Sequence, residues 1–191
     1  FAAFGAVDPP FTTAAETYHS GCGNAVRGVF AGGYDGGYLN IIDYIQMASV
    51  GNATDFGDLT VARQAAASTS SPTRGLWMGG SPTVIDFIEI ATTGNAVDFG
   101  DLTVARDKSF SASSGTRGIC ASGMVSPATV TSIDFVEIAS TGNAIDYGDL
   151  TQARQHGGCV DNSTRAVCMG GQTTPVAPTV VNTIDYINSM A

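Results

Sequence analysis

The sequence is poor in basic side chains. Its 191 residues include only 8 Lys and Arg against 17 Asp and Glu, so the formal net charge is −9. Nucleic-acid binding depends on clusters of Lys and Arg that contact phosphates. Attraction to an anionic lipid surface depends on similar clusters. We therefore expect neither nucleic acid nor a membrane surface among the partners of this chain.

Long apolar runs and closely paired cysteines are also missing. No run approaches the roughly 20 apolar residues that span a bilayer, so we expect no membrane insertion. The four cysteines contain no C-x-x-C pair, which argues against a zinc module. No metal or cofactor is predicted. Because the sequence starts at Phe1 without an initiator Met or a signal peptide, we expect a processed or excerpted chain.

What the sequence does contain is an internal repeat. The phrase Asp-Phe-Gly-Asp-Leu-Thr, or a close variant, follows Ala53, Ala96 and Ala144, and a diverged copy follows Ala6. In each unit an arginine lies eleven residues after another arginine, or after Glu16 in the first unit. These repeated arginines are Arg27, Arg63, Arg74, Arg106, Arg117, Arg154 and Arg165. Residues that follow a structural period are most simply structural, and we expect the arginines to pair with carboxylates.

Each unit contains four short segments with strand character. Brief apolar runs that are punctuated by glycine indicate strands rather than helices. The predicted boundaries are an outer strand at 1–13 and four units at 14–60, 61–103, 104–151 and 152–191, in a single domain. The second segment is apolar on both faces, which predicts burial between two packed sheets. The first segments are rich in Gly, Ala and Ser, as expected close to a narrow axis.

Four strands in a unit of 45–50 residues are typical of a β-propeller blade. The arginine before the second strand, the Gly-Gly after it and the outer-strand aromatics Phe56, Phe99 and Tyr147 resemble kelch repeats. The full pattern of a unit is T-R-G-x-x-x-G-G, then I-D-Y/F-I, then T-T-G-N-A-x-D-F-G-D-L-T-x-A-R. This pattern resembles repeats in large virion proteins of tailed bacteriophages. The resemblance implies an all-β, four-bladed β-propeller with four antiparallel strands per blade, in an extracellular or virion location.

The ends of the sequence complement each other. The last unit stops after its third strand, and the segment around residues 4–12 has the character of the missing fourth strand. This segment is predicted to complete the last blade, either in the same chain or, by strand exchange, in a neighbouring subunit. Pro9 and Pro10 fit an edge strand in both cases, because proline donates no hydrogen bond to a ladder.

The loop between the second and third strands is where the units differ in length. The spacing from the second arginine to the Ile-Asp pair is 15, 11, 16 and 19 residues in the four units. Insertions on one rim indicate a binding face. The most ligand-like of these loops contains Tyr34, Asp35 and Tyr38, whose aromatic rings could stack on a sugar. The loop at 172–182 is an alternative subunit contact.

Several single residues have two readings. Cys159 and Cys168 flank a predicted turn, which makes a cross-strand disulfide one reading and free buried thiols the other. Asn52 and Asn162 match the N-glycosylation triplet in predicted turns. Asp55 and Asp58 could bind calcium, but pairing with turn amides and arginines is the simpler reading. The histidines His19 and His156 are expected to be hydrogen-bonded near the axis rather than bound to metal.

The sequence leaves three classes of function open. The first is a non-catalytic structural or adhesive module of an extracellular assembly, whose partners are copies of itself or other virion or filament proteins. The second is a lectin-like propeller that binds surface glycans through the variable rim. The third is an enzyme, which is the weakest reading because nearly all polar residues are copies of one another, whereas catalysis needs unlike groups at one place.

Overall fold

The computed structural model describes residues 16–173 and 179–188, and within these ranges every regular element is a β-strand. No helix in this part of the chain is long and apolar enough to cross a membrane. The fold is therefore all-β, as the sequence predicts, and its sheets are antiparallel.

The strands form successive sheets in chain order. Sheet 1 contains β1 (Ser20–Gly23), β2 (Arg27–Ala31), β3 (Leu39–Gln46) and β4 (Thr54–Arg63). Sheet 2 contains β5 (Ala67–Ser70), β6 (Arg74–Met78), β7 (Val84–Glu89) and β8 (Val97–Asp101). Sheet 3 contains β9 (Phe110–Ser113), β10 (Arg117–Ala121), β13 (Ser132–Glu137) and β14 (Ile145–Asp149). A hairpin of β11 (Met124–Val125) and β12 (Ala128–Thr129) lies in its longest loop. Sheet 4 contains β15 (Gly158–Asp161), β16 (Arg165–Met169) and β17 (Ile184–Asn188).

Each sheet is a meander in which neighbouring strands are consecutive, apart from the inserted hairpin. The predicted fourth strand of sheet 4, at residues 1–13, lies outside the described residues. Its pairing, within the chain or with a neighbouring subunit, therefore stays a prediction.

A bulge interrupts the pairing of the third and fourth strands in sheets 1, 2 and 3. In sheet 2, Ile85 pairs with Gly100 and Asp86 pairs with Asp98, so Phe99 is the extra residue. Gly100 has a φ of 144°, a conformation that glycine adopts without strain. The bulge places the buried Phe99 edge-on against Phe87, with ring centroids 5.9 Å apart. The repeated phrase Asp-Phe-Gly-Asp thus encodes a bulge and an aromatic contact.

The sheets stack face to face, and every interface uses the same two faces. We call the face that contacts the next sheet the leading face and the opposite one the trailing face. Sheet 2, for example, buries Leu76, Met78 and Ile85 of its leading face against Val136 and Ile138 of sheet 3. Sheet 1 packs on sheet 2 and sheet 3 packs on sheet 4 in the same way. The prediction that the second strands are buried on both faces is confirmed for β6 and β10, which lie inside the stack.

Buried ion pairs connect consecutive sheets. The guanidinium of Arg63, at the end of sheet 1, lies 2.6 Å from the Asp86 carboxylate of sheet 2, and neither side chain is exposed. Arg106 and Arg154 make the equivalent contacts with Asp134 and Asp185. Pairing with carboxylates is thus confirmed for these three arginines, and it holds for Arg74 and Arg117 at the surface, whereas Arg165 donates to the side chain of Asn188. The carboxylate partners of the buried arginines, however, are the aspartates of the Ile-Asp pairs in the third strands, which are Asp86, Asp134 and Asp185.

The aspartates of the repeated phrase bind turn groups and are not the partners of the buried arginines. In sheet 2, Asp98 accepts a hydrogen bond from the Gly100 amide at 3.0 Å, and Asp101 accepts one from the Thr83 hydroxyl at 2.7 Å. These carboxylates therefore satisfy turn groups, which is the simpler reading of their spacing. The described residues contain no group of three or more His, Cys, Asp or Glu that could hold a metal ion.

The first strands of the four sheets lie beside one another. β1 contacts β5, β5 contacts β9, and β9 contacts β15. All four border one open cavity of about 420 Å³, whose lining includes Cys22, Ser70, Ser113 and Asp161. Small side chains in these strands let the backbones approach the cavity, as the sequence suggests.

Candidate functional site

The residues that follow the first arginine, or Glu16 in the first unit, differ from unit to unit. In each unit the second residue after that position has a left-handed backbone, with φ of 58° at Tyr18, 49° at Ala65, 55° at Lys108 and 57° at His156. We call these four residues the collar. Left-handed non-glycine residues are uncommon, and they persist where the surrounding structure enforces them, often at functional sites.

Backbone hydrogen bonds connect the collar residues in sequence order. The amide of Ala65 donates to the carbonyl of Tyr18 at 2.7 Å, Lys108 donates to Ala65 at 2.9 Å, and His156 donates to Lys108 at 3.2 Å. The backbones of the four collar residues are thus linked in one row by hydrogen bonds, and each residue carries a different side chain. The collar is therefore one of the places where the units carry unlike side chains.

Polar side chains beside the collar carry buried oxygen atoms that accept no hydrogen bond from the described residues. These atoms are Oε2 of Glu16, Oδ1 of Asp107 and Oε1 of Gln155. Glu16 occupies the position that an arginine holds in the other units.

Burial shifts the proton affinity of several of these groups. It raises the pKa of Glu16 to about 7, with smaller contributions from the nearby carboxylates of Asp43 and Asp35. Burial likewise raises the pKa of Asp107, although Lys108 and His156 oppose the shift. The pKa of His156 is lowered, first by burial and then by the positive charge of Lys108. Glu16 therefore changes its protonation state near neutral pH.

The predicted ligand loop adjoins the collar. Thr17, which precedes the collar residue Tyr18, pairs through its backbone with Tyr34. Tyr34 and Tyr38 are both partly exposed, and their rings meet edge to face with centroids 6.2 Å apart. Asp35 is exposed between them. The structure thus brings Tyr34, Asp35 and Tyr38 together on one exposed loop.

The other variable loops lie on the same rim. Asp107 pairs with Met124 and Gln155 pairs with Gln172, in the same way as Thr17 pairs with Tyr34. The hydroxyl of Thr129 donates to the carbonyl of Thr173 at 2.6 Å, so loops of sheets 3 and 4 touch. The middle of the predicted contact loop at 172–182 lies outside the described residues. Sequence spacing predicts this grouping of the loops, whereas nothing in the sequence signals the left-handed collar.

The two histidines have different neighbours. Nδ1 of His19 lies 3.9 Å from the Glu16 carboxylate, and its ring meets Phe30 edge to face. Nδ1 of His156 lies 3.1 Å from Nε2 of Gln172. The expected hydrogen bond is therefore present for His156, whereas His19 lies beyond hydrogen-bond distance of Glu16.

The remaining candidate residues lie away from the collar. Cys159 and Cys168 pair directly across β15 and β16 and form a disulfide, whereas Cys22 and Cys120 are free thiols. Asn52 is exposed in the turn before β4. The side-chain oxygen of Asn162 accepts hydrogen bonds from the amides of Thr164 and Arg165 and thus shapes a tight turn. Whether Asn52 and Asn162 are glycosylated stays a prediction.

The leading face of sheet 4 is an exposed apolar surface. Ile184 and Tyr186 are each 65% exposed and Val160 is 61% exposed, and Met169 lies beside them. The equivalent positions in sheet 2 are Ile85, Phe87, Thr69 and Met78, and Ile85 and Met78 are almost fully buried by sheet 3. Sheet 4 therefore presents the same kind of face as the inner sheets but without a covering sheet among the described residues.

The trailing face of sheet 1 is the counterpart at the other end of the stack. Phe30, Ile45 and Met47 occupy the positions that Trp77, Ile88 and Ile90 hold in sheet 2. The three residues of sheet 2 are buried against sheet 1, whereas Met47 is 59% exposed and Phe30 and Ile45 are half-buried. The stack thus ends in two apolar faces of complementary type.

Comparisons with known proteins show the fold alone. No protein-family model matches this chain, and no curated protein sequence matches it. Among solved structures, one titled "Structure of YjhT" superposes with a TM-score of 0.71 at 10% sequence identity. The match covers 89% of this chain and 65% of the other, so this chain spans less than two thirds of that protein's length.

Proposed function

We propose that this chain is a non-catalytic structural module of an extracellular assembly, such as a virion appendage or a surface filament. Its sheets would be four blades around the axis of a propeller, with the leading face of sheet 4 and the trailing face of sheet 1 left open to a partner. The shared cavity between the first strands supports this arrangement. In this proposal the N-terminal segment supplies the outer strand of sheet 4, in its own chain or in a neighbouring subunit.

The observation that carries this proposal is the pair of exposed apolar faces at the two ends of the stack. Contiguous apolar surface on a folded protein indicates a protein contact, whereas isolated exposed apolar residues need no explanation. Ile184, Tyr186, Val160 and Met169 are contiguous because they lie on paired strands. A role as one part of a larger assembly accounts for such surfaces.

The distribution of polar residues favours a structural over a catalytic role. The repeated arginines make structural contacts, some in buried ion pairs and some by stacking on aromatic rings. Arg74, for example, lies 4.6 Å from the centre of the Phe87 ring. The aspartates of the repeated phrase bind turn amides, as Asp98 does. Those of the Ile-Asp pairs bind the buried arginines, as Asp86 does. An assembly module needs these contacts for rigidity and requires no reactive group.

Sedimentation velocity over a wide range of protein concentration tests the proposal. An assembly module is expected to form species larger than the 19.5 kDa chain, or to bind virion or filament proteins through its end faces. A particle that stays at 19.5 kDa and shields Ile184 and Tyr186 from solvent would contradict the proposal, because the two end faces would then cover each other within one chain.

Glycan binding at the collar rim is the second candidate function. Two exposed tyrosine rings on one loop of this rim fit a sugar, because pyranose rings stack on aromatic faces. Binding to a glycan array that is lost in a Tyr34→Ala, Tyr38→Ala variant would support this function. Ile145→Asp, an exposed change on sheet 3, is the matched control. Absence of binding to any glycan would remove this candidate.

A further inference from the structure

The internal interfaces of the chain show which partner would fit its end faces. Three times along the stack a leading face packs onto a trailing face, and each time the contact forms a buried apolar core. The exposed leading face of sheet 4 and the exposed trailing face of sheet 1 are the next two surfaces of the same kind. We propose that they bind each other between two copies of this chain, head to tail.

The residue types at the two faces support this contact. In the contact of sheet 1 with sheet 2, the half-buried Tyr44 and the buried Ile42 pack with Trp77 and Ile88. A second copy would offer Phe30 and Ile45 at the positions of Trp77 and Ile88, and sheet 4 offers Tyr186 and Ile184 at the positions of Tyr44 and Ile42. An aromatic ring and a branched aliphatic side chain are therefore present on each side of the contact.

A polar contact repeated inside the chain can also form at the new interface. Arg27 of sheet 1 donates to the carbonyl of Ile90 in sheet 2 at 2.8 Å, and Arg74 of sheet 2 donates to the carbonyl of Ile138 in sheet 3 at 3.1 Å. Arg165 is the equivalent residue of sheet 4, where it lies over the Tyr186 ring. In the docked pair, Arg165 would donate to the carbonyl of Met47, which holds the position of Ile90.

This contact is heterologous, because it joins two different surfaces of identical chains. Such contacts produce rings when the rotation closes and filaments when it does not. The net charge of −9 opposes association of identical chains, and salt screens that repulsion. Association should therefore become stronger as salt is raised. The inference rests on the proposed assembly function and names its partner.

Two variants, each altered at one end, test the head-to-tail contact. Ile184→Asp with Tyr186→Asp removes the leading face, and Met47→Asp removes the trailing face. All three positions are more than half exposed, so the changes should leave the fold intact, as circular dichroism can check. Ile145→Asp, at a position 60% exposed outside both faces, is the control.

Each end variant alone is expected to sediment as a monomer under conditions where the wild type and Ile145→Asp associate. An equimolar mixture of the two end variants should form a species of twice the chain mass and nothing larger, because each retains one intact face. A mixture that stays monomeric, or a single end variant that still dimerises, would overturn the head-to-tail contact.

The failure of this inference can be distinguished from failure of the proposed function. A wild-type chain that stays monomeric at all concentrations, while Met47 and Met169 are oxidised rapidly by peroxide, would overturn the contact between copies and leave the faces for a different partner. A monomer in which both methionines are protected would overturn the assembly role as well.

Discussion

At the scale of single residues, the buried ion pairs between sheets make the most specific prediction. Arg63 also donates to the carbonyl of Val84 at 2.7 Å, and its partner Asp86 accepts from the Thr60 hydroxyl at 2.5 Å. Arg63→Met would leave the Asp86 carboxylate buried without its cation. Removing one partner of a buried pair costs about 3–5 kcal/mol, so we expect a loss of that size in the free energy of unfolding, measured by urea denaturation.

The control for this change is an ion pair at the surface. Arg74 and Glu89 lie 2.7 Å apart, but half of the Glu89 side chain is exposed. Exposed pairs contribute about 0–1 kcal/mol, so Glu89→Gln should have a small effect. Equal losses in the two variants would show that the Arg63 pair does not hold the sheets together.

A second residue-scale prediction concerns Glu16. Burial raises its pKa to about 7 from an ordinary 4.5, so the folded chain holds a proton that the unfolded chain releases between these values. Stability is therefore fully present below about pH 4.5 and declines as pH rises through about 7. Glu16→Gln removes this decline, and its gain at pH 8 should be on the order of 1 kcal/mol, less than the pKa difference alone would give because solvent screens a partly exposed group. Denaturation at pH 5 and pH 8 measures it, and an unchanged decline in the variant would refute the assignment.

At the scale of strands, the bulge glycines set the distance between neighbouring sheets. A Cβ on Gly100 would overlap the carbonyl oxygen of Gly142, which belongs to the following sheet. Gly100→Ala should therefore destabilise the chain by about 1–3 kcal/mol, from backbone strain and from this overlap. Gly148, with a φ of 130° and no described atom within 4 Å of the same site, is the matched control. If Gly148→Ala is equally destabilising in a thermal melt, the overlap with the next sheet contributes nothing.

The sequence predicts the strands well because its repeat defines them several times. Strand positions, small residues in the first strands and burial of the second strands follow from patterns that each unit restates. The carboxylate partners of the arginines do not follow, because Asp86 pairs with Arg63 only once sheet 2 lies on sheet 1. The left-handed collar is equally hidden, since Tyr18, Lys108 and His156 carry no glycine signal for positive φ.

At the scale of the whole molecule, position in the stack decides what a residue does. Met169 and Met78 have the same place in their units, yet one is exposed and the other is buried. A repeat therefore predicts the kind of face that each sheet has, but only the tertiary arrangement shows which faces remain uncovered. Association of these faces would make stability depend on protein concentration, because binding to the folded state alone stabilises it.

The most direct test of this account compares the oxidation rates of Met169 and Met78 by peroxide and mass spectrometry, in dilute protein. Because no described residue covers the leading face of sheet 4, Met169 should be oxidised at least about tenfold faster than Met78, and protection should appear as concentration rises. Equal, slow oxidation of both methionines in the monomer would contradict the account, since it would mean that the chain covers this face itself.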